Sequence, residues 1–163
     1  MKKIVCFALA LLMLLGICAL TSCNGGQDEK TTYGVTLNGV MIEINAEAEP
    51  ILSALGAWKD YDASPTCAFE GEDKVYGYGS FEIHTYTLGG KDYVHSVYLL
   101  DDSHTTRKGI TIGSKSSAVT ASYGQPTKTT DGALIYEGDG MTLSFLLRDD
   151  RVTNIQYVKA EQK

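Results

Sequence analysis

The chain has 163 residues and a formal charge of −6, with 44% apolar residues and 17 glycines. Fourteen lysines and arginines stand against twenty carboxylates, so the chain as a whole offers no basic surface and is not expected to bind nucleic acid. Its length fits one ordinary domain or two very small ones.

The opening "MKKIVCFALALLMLLGICALTSC" predicts a secretory signal over residues 1–22. Lys2 and Lys3 form the positive leader, and Ile4 to Leu20 is almost unbroken apolar chain. The run approaches the ~20 residues that span a bilayer, so a retained transmembrane helix is the alternative. Its ending speaks for cleavage. Leu20-Thr21-Ser22-Cys23 resembles the bacterial lipobox: an aliphatic residue, two small residues, then the lipid-bearing cysteine. The resemblance implies cleavage before Cys23, a diacylglyceryl thioether on its sulfur and acylation of the new amino terminus. Several acyl chains hold a protein stably at a membrane where one does not. The expected location is therefore the extracytoplasmic face of the cell membrane, with lipid on Cys23 as the anchor.

Residues 23–32 continue with "NGGQDEKTT", which reads as a flexible tether. Of four cysteines, Cys6 and Cys18 would leave with the signal and Cys23 would carry lipid. Cys67 then stands alone, no intramolecular disulfide can form, and the domain must rely on its apolar core. In "PTCAFEG", Cys67 reads as a small buried hydrophobe. A reactive or intermolecular thiol is the other reading, although no base lies near it in sequence.

From Tyr33 onward one pattern is met twice. Gly39-Val40-Met41-Ile42 predicts a short strand, matched by Gly109-Ile110-Thr111-Ile112. A helix is expected after each. Asn45 and Ser116 are candidate N-caps, and Pro50 fits a first turn. Ile51 and Leu55 share a face, as do Val119 and Tyr123, and Gly56 and Gly124 stand at the C-terminal ends. Then "VYGYGSFEIHTYTL" aligns with "IYEGDGMTLSFLLR" at a constant offset of sixty. Gly89-Gly90 and Asp149-Asp150 supply hairpin turns, and Val94–Val97 matches Val152–Ile155. The expected fold is α+β: two tandem copies of a strand–helix–antiparallel β-meander unit, over residues 33–106 and 107–163, with the helices packed on antiparallel sheet.

The stretch "GITIGSKSSAVTASYGQP", followed by strands ending in "DDRVTNIQYV", resembles the repeat of small bacterial lipoproteins. These include the SmpA/OmlA family of outer-membrane barrel assembly and the β-lactamase inhibitory proteins, which carry two such units. The same pattern is similar to that of uncharacterised Gram-positive lipoproteins. The lipobox, the duplicated sheet unit and the absence of a catalytic set lead to the expectation of a membrane-tethered, non-catalytic binding or envelope-assembly module with an envelope or secreted protein as partner. The inhibitory proteins carry disulfides that this chain lacks, and none of their inhibitory loops maps onto it.

G-x-S-x-G, H-E-x-x-H, P-loop and paired C-x-x-C motifs are absent, so no catalysis, cofactor or bound metal is expected. Alternation places His95 inward beside Val97 and Leu99, and His84 outward, which argues against a shared metal site. "DDSH", Asp101 to His104, reads as a polar connector, with a metal or small-ligand groove near His104 as the alternative. Residues 33–106 hold twelve acidic residues against Lys59, Lys74 and Lys91. Outward on the same half, Tyr86 and Tyr98 are expected to join Glu82 and His84 in a partner-binding patch, because Tyr buries area at low entropy cost. Coverage by another element, or ordinary cross-strand pairing, would explain them equally well. Removal of both tyrosines is expected to weaken partner capture and leave stability nearly unchanged.

Overall fold

The computed structural model describes residues 33–65 and 71–160. The signal, Cys23, the tether and Cys67 lie outside the described residues. Alternation dominates what is built. Phe81, Ile83 and Thr85 are buried while Glu82, His84 and Tyr86 are half-buried, and Met141, Leu143 and Phe145 repeat the pattern. Such period-two burial makes strands with one face against a core.

In chain order the elements are β1 (Val35–Leu37), β2 (Val40–Ile42), α1 (Ala48–Leu55), β3 (Asp60–Pro65), β4 (Glu72–Gly77), β5 (Phe81–Leu88) and β6 (Lys91–Leu99). They continue with α2 (Ser116–Tyr123), β7 (Lys128–Thr130), β8 (Ala133–Gly138), β9 (Met141–Arg148) and β10 (Arg151–Lys159). Among the described residues, β1 and β2 form a hairpin of their own, and the other strands form one sheet in the order β3-β4-β5-β6-β10-β9-β8-β7. All its neighbours are antiparallel.

This corrects the expected fold class. The chain is mostly β rather than an α+β pair of tandem helix-on-sheet units. β6 pairs with β10 from Ser96↔Val158 to Leu99↔Ile155, which fuses the two halves into one continuous sheet. Size decides why the helices do not form a layer. Each has 8 residues, so each is about 12 Å long at 1.5 Å per residue. Eight strands spaced at ~4.8 Å span more than 30 Å. Helix α2 buries only Val119. The inner face is closed as much by the β1–β2 hairpin, through Val35, Leu37 and Ile42, as by Ala48, Ile51 and Leu52 of α1.

Other expectations need correcting too. The strand expected at Gly109–Ile112 does not form; Ile110 is buried in an irregular segment, its N–H bonded to Thr106 Oγ1 at 3.0 Å. Glu47 and Lys115, not Asn45 and Ser116, occupy the N-cap positions, and neither caps with its side chain. Asn45 commits its side-chain Oδ1 to the Tyr86 hydroxyl at 2.7 Å, and Ser116 commits its hydroxyl to Asp150. Gly56 and Gly124 do end the helices, both at φ 81°, a conformation strained for other residues. Tyr78 reaches the Gly56 carbonyl at 3.5 Å, and Tyr136 that of Gly124 at 3.1 Å.

Local contacts recur across the sheet. Asn45 N–H and Gly113 N–H donate to Val94 O and Val152 O, both at 2.7 Å, and Val94 and Val152 donate back to Ala46 and Ser114. These bonds extend β6 and β10 beyond the stretch they share, so neither central strand leaves that edge open there.

Candidate functional site

The outward face of the first half carries the side chains singled out from sequence. Register arranges them in cross-strand rows. One row runs Asp60, Gly77, Glu82, Tyr98, Gln156. The next runs Asp62, Val75, His84, Ser96, Val158. The His84 ring lies 4.7 Å from the Tyr98 ring, and its Nε2 is 3.2 Å from Glu82 Oε2. Glu82, His84 and Tyr98 thus form one contiguous, partly exposed cluster. The buried sides of both helices belong to the core on the opposite face, and among the described residues no helix covers this one.

Tyr86 is placed differently. Its hydroxyl donates to Asn45 Oδ1 at 2.7 Å and accepts from Lys159 Nζ at 2.7 Å. Its ring lies 5.8 Å from Tyr93 and 6.2 Å from His95, with Lys159 Nζ 4.3 Å from the ring centre. Tyr86 therefore clamps the β5–β6 hairpin to the segment before α1 and to the end of β10. It is a structural tie at the rim of the Glu82–His84–Tyr98 cluster.

His95 is where simple alternation misleads. His84 pairs with Ser96 and Thr85 with Val94, so His95 is an extra residue in a β-bulge. The bulge turns it to the outer face, against Tyr86 and beside Ser96 Oγ at 3.3 Å. His84 and His95 share a face, contrary to the expectation of opposite faces. Thr153 occupies the corresponding bulge between β9 and β10, since Leu146 pairs with Asn154 and Leu147 with Val152. Both hairpins run over the same length, 81–99 and 141–159, with one bulged residue each, so nothing in the offset between the halves announces the bulge. His95 keeps part of its surface exposed, yet partial desolvation of its ring lowers its pKa, and His84 and Lys159 lower it further against the opposing pull of Asp73.

The rest of the polar inventory serves local structure. His104 Nε2 is 2.8 Å from Ser80 Oγ, and its ring stands edge-on to Phe81 at 5.2 Å. Asp101 accepts from the Ser103 N–H at 2.9 Å. The connector thus turns its side chains to its own backbone and to β5, and among the described residues no three His, Cys, Asp or Glu side chains converge on a metal-sized site. Lys74 bonds Asp92 at 2.8 Å, which raises the lysine pKa. Burial pushes the Asp92 carboxyl up, but its bonds from Lys74 and Thr87 outweigh this and hold it below its ordinary value. Among the described residues no helix is long and apolar enough to cross a membrane.

The chain matches no protein-family model and none of the curated proteins it was compared with. Among solved structures it aligns with an extracellular protein containing a SCP domain from Bacillus anthracis, at 13% identity and a TM-score of 0.41. The alignment covers 71% of this chain and 44% of that one, so the chain spans less than half of that protein's length. A similarity of this size assigns no family and no activity.

Proposed function

We propose that the chain is a lipid-anchored, extracytoplasmic, non-catalytic binding module whose contact surface is the outer sheet face centred on Tyr98. The observation that carries this reading is the Glu82–His84–Tyr98 cluster, partly exposed at the middle of a broad sheet and uncovered among the described residues. A Tyr and a His in ring contact offer amphipathic area with few rotors to freeze, which suits a protein interface. The flanking carboxylates Asp60, Asp62 and Glu82 favour a partner whose facing surface is cationic. The partner is an envelope or secreted protein, reached from the membrane through lipid on Cys23.

Cross-linking of the full-length protein in native membranes tests the reading. Tyr98→Ala and His84→Ala should each abolish a cross-linked partner that the unaltered chain retains, since a central interface aromatic is worth about 2 kcal/mol or more. Unchanged cross-linking in both variants would remove this face from the function.

A further inference from the structure

Among the described residues the sheet ends in two edge strands without a further partner, β3 and β7. β7 has three residues, whereas β3 has six, Asp60 to Pro65, all exposed. Every residue of β3 is paired with β4 on one side, from Asp60↔Gly77 to Pro65↔Glu72. Among the described residues no strand pairs with its other side. Alternate N–H and C=O groups along such an edge point outward without a sheet partner, and they template a further strand.

The side chains of β3 sort by face. Tyr61 pairs with Tyr76, which pairs with the buried Ile83, so Tyr61 lies on the inner-face side. Its ring is 6.2 Å from Trp58 and 5.2 Å from Tyr76, and Trp58 is 5.1 Å from Tyr76. Trp58 and Tyr61 remain 46% and 51% exposed, far more than core aromatics. Beside Trp58 a cleft of about 330 Å³ opens against the end of α1, lined by Leu52, Ser53 and Gly56. On the opposite side of β3 stand Asp60 and Asp62. Asp60 packs over Gly77, where an added Cβ would lie 3.2 Å from its own. Neither carboxylate is in an ion pair among the described residues.

From this edge we infer that β3 captures an extended segment of a partner protein by strand addition, and that the segment alternates apolar and basic residues. A strand laid along β3 turns successive side chains to opposite faces. Those on one face meet Trp58, Tyr61 and the cleft. Those on the other meet Asp60 and Asp62. Backbone bonds supply affinity and the two unlike faces supply selection. The same carboxylates disfavour β3 of a second copy, whose aspartates would be brought against them.

The inference shares Asp60 and Asp62 with the Tyr98 face but not its aromatic centre, and one probe separates the two. Trp58 is the single tryptophan of the chain, so its emission reports docking directly. The probe is a blocked octapeptide alternating lysine and valine, titrated into the full-length protein in detergent. A saturable blue shift is expected, unaltered by Tyr98→Ala and lost when alternate peptide amides are N-methylated. The double variant Asp60→Asn, Asp62→Asn should raise the Kd about tenfold, from two part-exposed charge pairs. Three results would overturn the proposal: equal binding of the N-methylated peptide, equal binding of a peptide with lysines and valines in separate blocks, or no shift at all. A shift produced by a soluble chitin oligosaccharide and not by the peptide would assign the aromatic shelf to glycan and overturn it as well.

Discussion

Tyr98 and Gln156 face each other across β6 and β10 at the centre of the sheet, and the register on either side of them is exchanged: Leu99 faces Ile155, and Val97 faces Tyr157. An offset of fifty-eight residues carries Val97, Tyr98 and Leu99 onto Ile155, Gln156 and Tyr157. The Tyr98–Gln156 pair therefore sits on a local two-fold axis of the strand register. The inner-face pairs beside it are fully buried on both strands, while Tyr98 itself is half-exposed and its counterpart is a glutamine. Core packing shared by the two positions does not call for an aromatic ring at 98.

Tyr98 and Tyr86 should consequently separate in stability. Tyr86→Phe removes a hydroxyl bonded to both Asn45 and Lys159, at a cost of about 1 kcal/mol. Tyr86→Ala further removes its ring contacts with Tyr93 and His95. Tyr98→Ala loses chiefly the His84 contact. Thermal unfolding should rank Tyr86→Ala below Tyr98→Ala, which corrects the expectation that both rings can go without effect. Equal melting temperatures would show that the Asn45 and Lys159 bonds contribute nothing.

The strands were legible because one face is buried, and burial imprints period two on β5, β6, β9 and β10. Helix ends were legible at Gly56 and Gly124, where positive φ demands glycine. Layering was not. Nothing in "AEPILSAL" or "SSAVTASY" says that eight residues will leave most of an eight-stranded sheet to other cover. Nor does a short polar strand such as "DYDASP" announce itself, since all its residues are exposed and its pairing is with β4 alone. At the site, Glu82, His84 and Tyr98 follow from alternation. His95, Asn45 and Lys159 do not, because a bulge and two chain-distant contacts place them.

Two buried hydroxyls should be dispensable. Among the described residues Thr85 Oγ1 and Tyr157 OH have no hydrogen-bond partner, and their residues are 1% and 0% exposed. Burial raises the Tyr157 phenol well above its ordinary pKa, so it remains neutral. Burial of an unmade hydroxyl bond costs about 1–3 kcal/mol, and Thr85→Val and Tyr157→Phe remove the hydroxyl while keeping the shape. Each should leave the protein as stable or raise its denaturant midpoint. A loss above about 1 kcal/mol in either would mean that an ordered water satisfies that oxygen.

Anchoring is tested at Cys23. Cys23→Ala should release the protein from the membrane, or leave it uncleaved with its apolar leader attached. Fractionation and the mass of the product distinguish the two from the lipidated form. A Cys23→Ala product that is cleaved and still membrane-bound would remove the lipid as its anchor.

The pH response of the outer face should trace to His95. Its ring stands against Tyr86, and its pKa is lowered first by partial desolvation, then by His84 and Lys159, with Asp73 pulling the other way. A histidine whose folded pKa is depressed binds its proton less readily folded than unfolded. Above about pH 6.5, the ordinary histidine value, it is neutral in both states and has no effect on stability. As pH falls below that value the unfolded chain takes up the proton first, so stability falls until the lower folded pKa is passed and then levels. Asp92, whose carboxyl is also held below its ordinary value, acts in a separate window. Its contribution is whole above about pH 3.9 and is lost only at more acid pH. Denaturant unfolding at about pH 7.5 and about pH 5.5 should therefore show a loss of stability in the unaltered chain that His95→Gln reduces. If both proteins lose the same amount over that interval, the bulged histidine is not the group that senses it.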